Sequence, residues 1–128
     1  MSFDRKFLVW ALCYAVAGMC LGIFMAASHD HGQFVTHAHI MLAGFVVSFI
    51  YGVIHKLWLG ANPHRLAGTQ FIIHQVGALI MFPGLFLLYG GIVPEPKVEP
   101  FLAVSTFVVL IGALLMLFMV FKSNTAHA

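Results

Sequence analysis

The chain has 128 residues, of which 62% are hydrophobic and only 8% are charged, and its formal net charge is +2. With a mean hydropathy of +1.01, it has too few charges to cover a soluble domain of this size. Lys and Arg number six and form no cluster, which excludes a nucleic-acid surface of the usual kind.

Four apolar stretches, 7–27, 34–59, 66–89 and 100–121, are each long enough to cross a hydrocarbon core, which needs about 20 helical residues. None alternates as a barrel strand would. The sequence predicts one all-α membrane domain over 1–128, four transmembrane helices in an antiparallel up-down bundle. With the N-terminus inside, Arg5, Lys6, Lys56, Arg65 and Lys122 fall on the cytoplasmic side and only Lys97 outside. Both termini are then cytoplasmic, and the second helix runs from outside to inside.

The first stretch is too long for a signal-peptide core, so Ala26-Ala27-Ser28 is not read as a cleavage site. It carries a G-x-x-x-G pattern, Gly18 and Gly22, continued by Ala11, Ala15 and Ala26. Such a stripe suits close helix association and weakly favours oligomerisation. Cys13 and Cys20 lie about 10 Å apart along this helix and cannot bond to each other. They read as small residues facing lipid or a neighbouring helix.

Between the first two helices, His29 and His31 flank Asp30. Two imidazoles and a carboxylate this close suit copper or zinc, support for a buried site, or simply a polar turn. His37 and His39 then open the second helix, at the head of an uncharged run over 40–54. At about 100° per residue, positions i and i+2 point to nearly opposite faces. One ion cannot comfortably take both rings, so as ligands they serve two sites. Ionisable groups at this depth are costly to bury in lipid and are by default a functional hypothesis. The plain alternative is snorkelling to the interface. Below His37, Gly44, Ser48 and Gly52 make a smooth face that admits a helix or a flat macrocycle. Met41 offers a soft donor or simply packs. His55, beside Lys56, reads as an interfacial residue at the inner end.

In the third stretch, His74 and Gln75 form a polar pair that needs partners. His74 suits an axial ligand, a proton relay or a hydrogen-bonded packing residue. His64 reads as a solvated loop residue and His127 as part of a tail. The segment 90–100, with Pro94, Pro96 and Pro100, reads as an extended external connection.

The segment 36–58, THAHIMLAGFVVSFIYGVIHKLW, resembles the tenth helix of haem-copper oxidase subunit I, above all its cbb-type and nitric-oxide-reductase-like branches. There a His-x-His pair opens the helix near the outer side. The resemblance implies His37 as the high-spin haem ligand and His39 as the low-spin one. The next segment, 65–90, is similar to the family's eleventh helix, and His74 falls where that family often has His-Phe-Trp, here followed by Gln75 and Val76. About half the chain carries the likeness. Four helices lack the copper histidines and the second low-spin ligand, so one copy cannot be a complete oxidase. The family's twelve helices form three similar four-helix arcs, and three copies of this chain would imitate that ring.

Three functions are therefore expected from the sequence. The first is a haem-b-binding protein of the bacterial inner membrane, a homotrimer acting in electron transfer or in handling a diatomic gas, with His37, His39, His74, Met41, Gly44 and Ser48 as candidate cofactor contacts. The second is a copper- or zinc-handling protein using His29, His31, His37 and His39, with Asp30, Met25 and Met41 nearby. The third is a cofactor-free structural subunit. Lipid and further copies of the chain are the expected partners; no redox partner is implied and no nucleophile–base pair is visible. A reporter fused to the C-terminus should be active only when cytoplasmic; periplasmic activity of an export-dependent phosphatase there would overturn the topology.

Overall fold

A computed structural model describes residues 1–60 and 65–127, with side chains through Ser123. Among the described residues the regular structure is entirely helical: α1 (Phe3–Ser28), α2 (Phe34–Leu59), α3 (Arg65–Tyr89) and α4 (Glu95–His127). All four are long and apolar enough to cross a membrane, which makes this a multi-pass membrane protein by length and composition. Three helices match the predicted spans closely. The fourth starts earlier, because 95–100 is helical and not an extended connection. A helix needs no partner for its first N–H groups, so Pro96 costs nothing there. Pro100 lies further in, but it is exposed, and the Lys97 N–H closes the first turn on the Pro94 carbonyl at 3.0 Å.

Neighbouring helices are antiparallel. Phe3 and Phe7, at the start of α1, meet His55 near the end of α2. Gln33, just before α2, donates to the Phe86 carbonyl near the end of α3. Gly84 of α3 sits against Leu102 and Val98 early in α4. His29 ends α1 in the left-handed region (φ 58°), and Gly60 ends α2 with φ 68°.

Two apolar clusters hold the bundle. One gathers Tyr14, Ile40, Ala78, Met81, Phe82 and Leu85; the other gathers Phe7, Tyr51, Ala67, Met116 and Met119. Polar residues on α3 and α2 lie among them.

The small-residue stripe of α1 works within the chain. Ala11, Ala15 and Gly18 are buried, and a Cβ at Gly18 would strike the Met41 Sδ. Gly18 and Gly22 provide the close helix association expected of them, and the helix they admit is α2 of the same chain. The smooth face of α2 is filled in the same way. Gly44 is pressed by Tyr14 and Phe82, and Gly52 by the α1 backbone at Asp4 and Leu8. It receives a helix, leaving no space there for a flat macrocycle.

α2 is not a regular α-helix. Ile40–Val46 and His55–Leu59 are wound as π-helical turns. The Val47 N–H is shared between the Gly44 and Leu42 carbonyls, passing over that of Ala43. Wide turns of this kind often mark functional segments, and the first follows His39 directly.

Gly44→Ala places a methyl 2.8 Å from Tyr14 Cγ, and overpacking of this sort costs about 1–3 kcal/mol. Gly68→Ala meets only Phe3 Cζ at 3.6 Å and removes a helical glycine, so it should be neutral or stabilising by up to ~1 kcal/mol. Unfolding titrations of both variants in mixed micelles check this; equal stabilities would contradict the packing.

Candidate functional site

The predicted divergence of His37 and His39 is seen in their surroundings. His37 turns toward α1 and is half-buried. Its Nδ1 lies 2.8 Å from the Gly18 carbonyl oxygen. Gly22 makes room for the ring: a Cβ there would come within 3.1 Å of His37 Cε1. The G-x-x-x-G pair thus seats an imidazole, one glycine through its carbonyl and the other through its missing side chain. His39 is exposed, and its Nδ1 lies 2.8 Å from the Val35 carbonyl oxygen one turn back.

A carbonyl only accepts, so in each ring Nδ1 carries the proton as donor. The neutral ring then keeps its lone pair on Nε2. Histidines that bind metals through Nε2 are oriented this way, with Nδ1–H tied to a carbonyl. Both rings carry that preparation, on separate faces.

α2 is fastened where these rings sit. Thr36 is almost fully buried and donates to Gln33 Oε1 at 2.7 Å, while Gln33 Nε2 donates to the Phe86 carbonyl at 2.9 Å. Met41 packs on Gly18, which accounts for it without a ligand role. On the outer face, Leu42 and Val46 follow His39 at one and two turns and are exposed. His39 is the sixth residue of α2, about 7.5 Å below the helix start at 1.5 Å per residue.

His74 occupies a different place. It is fully buried where all four helices meet. Its Nε2 lies 3.3 Å from Ser48 Oγ of α2, and its ring meets Tyr51 edge-on at 5.1 Å. Phe7 of α1 lies 6.5 Å away between centroids, and Gly112 of α4 passes beside its backbone. The Ala43 carbonyl faces the ring, but no atom has hydrogen-bonding geometry with Nδ1. Gln75 is held by Tyr14, whose hydroxyl donates to Oε1 at 2.6 Å. Gln70, one turn before His74, donates from Nε2 to the Gly112 carbonyl at 3.0 Å. Ser48 belongs to this interior group, and Gly44 to the packing above it.

Other expectations resolve simply. His29 and His31 are exposed in a polar turn, where Asp30 Oδ1 accepts the Gly32 N–H at 3.0 Å. Among the described residues, no three His, Cys, Asp or Glu side chains converge as a metal ion requires. A copper or zinc site on these residues would draw donors from a second chain. Cys13 and Cys20 are both on the outside of the bundle. His55 does not face outward: it is buried and stacked between Phe3 and Phe7, at centroid distances of 5.6 and 5.5 Å. His64 and the side chain of His127 lie outside the described residues.

Sequence reasoning did not single out Tyr14, Gln70 or Tyr51. The signal was available for Gln70, a polar residue one turn from His74 in an apolar span. No family model, curated protein or solved structure matches the chain.

Removing the Tyr14 hydroxyl with Tyr14→Phe leaves the Gln75 amide with no partner at either end, which should cost about 1–3 kcal/mol. Thr106→Ala, which removes an exposed hydroxyl bond to the Leu102 carbonyl, should fall within about 0.5 kcal/mol of zero. Unfolding measurements that fail to separate the two would contradict the buried pair.

Proposed function

We propose that this chain is a haem-b-binding, one-electron-transfer protein of the bacterial inner membrane, both termini cytoplasmic, working as a homotrimer. His39 and His37 are its axial imidazoles. The observation that carries this reading is the His39 ring: it stands exposed on an otherwise apolar outer helix face, its Nδ1 tied to the Val35 carbonyl and its Nε2 without a hydrogen-bond partner among the described residues. A polar ring so placed is costly against lipid, and a metal bond at Nε2 answers that cost. The exposed Leu42 and Val46 below it supply the flat apolar contact that a porphyrin plane needs.

The residues fit the group only if more than one chain takes part. His37 rests against Gly18 and Gly22 of its own α1 while His39 faces away from the bundle. The two rings of one chain therefore do not share an iron, and a doubly ligated haem draws one imidazole from each of two protomers. This agrees with the resemblance to haem-copper oxidase subunit I, in which three four-helix arcs surround the cofactors. Iron held by two imidazoles carries electrons and has no open position for a gas. The chain's own part is to hold both tautomers through the Gly18 and Val35 carbonyls and to exclude water with α2.

Protein expressed with ample haem and purified in mild detergent should show a Soret band that shifts on reduction, at a mass of three chains. His39→Ala should abolish most of the haem while leaving stability within about 0.5 kcal/mol, because the side chain is exposed. His37→Ala should also lose haem. Colourless wild-type protein, or full haem content in both variants, would overturn the reading.

A further inference from the structure

α2 skips a rung of its hydrogen-bond ladder beside His74. The Val47 N–H, shared between the Gly44 and Leu42 carbonyls, passes over that of Ala43. The Ala43 carbonyl therefore lacks the donor that a regular α-helix supplies from four residues on. In a span crossing lipid, a freed backbone group has to be met from within the bundle.

His74 is placed to meet it. Its ring is fully buried and faces the Ala43 carbonyl. Its Nδ1 has no hydrogen-bond partner among the described residues. A carbonyl only accepts and a ring nitrogen can carry a proton, so the two groups are complementary. The other nitrogen agrees. Ser48 Oγ lies 3.3 Å from Nε2, and a hydroxyl donates to a neutral ring whose proton is on Nδ1.

The spacing of these two contacts matters. Ala43 and Ser48 are five positions apart on α2. In a regular α-helix such positions lie about 140° apart. A wide turn closes on i and i+5 and brings them toward one face. One ring reaching both is a clasp suited to the wide form. That form also sets what lies before it. Ile40–Val46 are wound in it, and a return to regular α-helix turns the preceding segment by about one residue, or 100°, against the following one. His37 would then leave Gly18 and Gly22, against which it now rests.

We propose that His74 is the positioning residue of the outer histidine pair: it donates from Nδ1 to the Ala43 carbonyl, accepts the Ser48 hydroxyl at Nε2, and so holds the wide turn that sets the directions of His37 and His39. The clasp joins α3 to α2 in the folded chain and does not rest on the haem reading.

The test is solid-state NMR on the full chain in lipid bilayers under reducing conditions, with ¹⁵N in the histidine rings and ¹³C in the Ala and Gly carbonyls. The wild type should carry the His74 proton on Nδ1, with magnetisation transfer to the Ala43 carbonyl carbon. The His37 Nδ1 proton should show the same transfer to the Gly18 carbonyl. His74→Leu should reduce the His37–Gly18 transfer severalfold at unchanged helix content. His74→Asn, whose amide donates from nearly the Nδ1 position, should restore most of it. A His74 proton on Nε2, or no transfer to the Ala43 carbonyl in the wild type, would overturn the proposal whether or not the Leu variant folds. So would a His37–Gly18 transfer that His74→Leu leaves unchanged.

Discussion

Polar groups inside a lipid-facing bundle must find partners among themselves, and α3 is where this constraint bears hardest. Gln70, His74 and Gln75 all lie in an otherwise apolar span. Their rotation toward the bundle axis turns α3 as a whole. It brings Ser48 of α2 to His74 and Tyr14 of α1 to Gln75, and it sets the Gly112 carbonyl of α4 against Gln70. Each of the other three helices thus has one register point fixed by a polar contact with α3. Apolar packing alone would not choose among rotations, because these helices are apolar on every face.

Small residues supply the second half of the arrangement. Hydrophobic burial drives little association between helices in lipid, so close backbone approach and dispersion matter more. α1 and α2 approach through Gly18, Gly22, Gly44 and Gly52, each covered by a side chain or backbone of the partner helix. The same approach brings the Gly18 carbonyl within reach of His37. Helix packing and the preparation of an imidazole are therefore one structural event. The π-helical turn that follows His39 sits between the two histidine levels. It passes over the Ala43 carbonyl, which faces His74.

Two histidine environments result, with different chemical capacities. Near the outer end, His37 and His39 hold Nδ1–H on carbonyls and keep Nε2 for a ligand. At the centre, His74 is enclosed and engaged through Nε2. The proposed cofactor role belongs to the first environment.

Much of this could be read from the residues alone. Charge spacing and run length delimit four spans, and the 100° step of a helix separates His37 from His39. These are additive or strictly local properties, and a chain carries them before it folds. Inward and outward faces were not legible, because both sides of every helix are hydrophobic. So the residues alone did not say which helix the Gly18–Gly22 stripe admits, nor that His55 is enclosed by Phe3 and Phe7. The segment 90–100 read as loop because proline usually stops a helix, whereas Pro94 and Pro96 fit at a helix start and Pro100 is tolerated inside the helix. The sequence by itself determined the number of spans, their polarity pattern and the splay of the histidine pair. Only the tertiary structure decided which histidine is seated, which is exposed and which is enclosed. That choice depends on where the glycines and polar groups of other helices coincide, and no single helix carries that information.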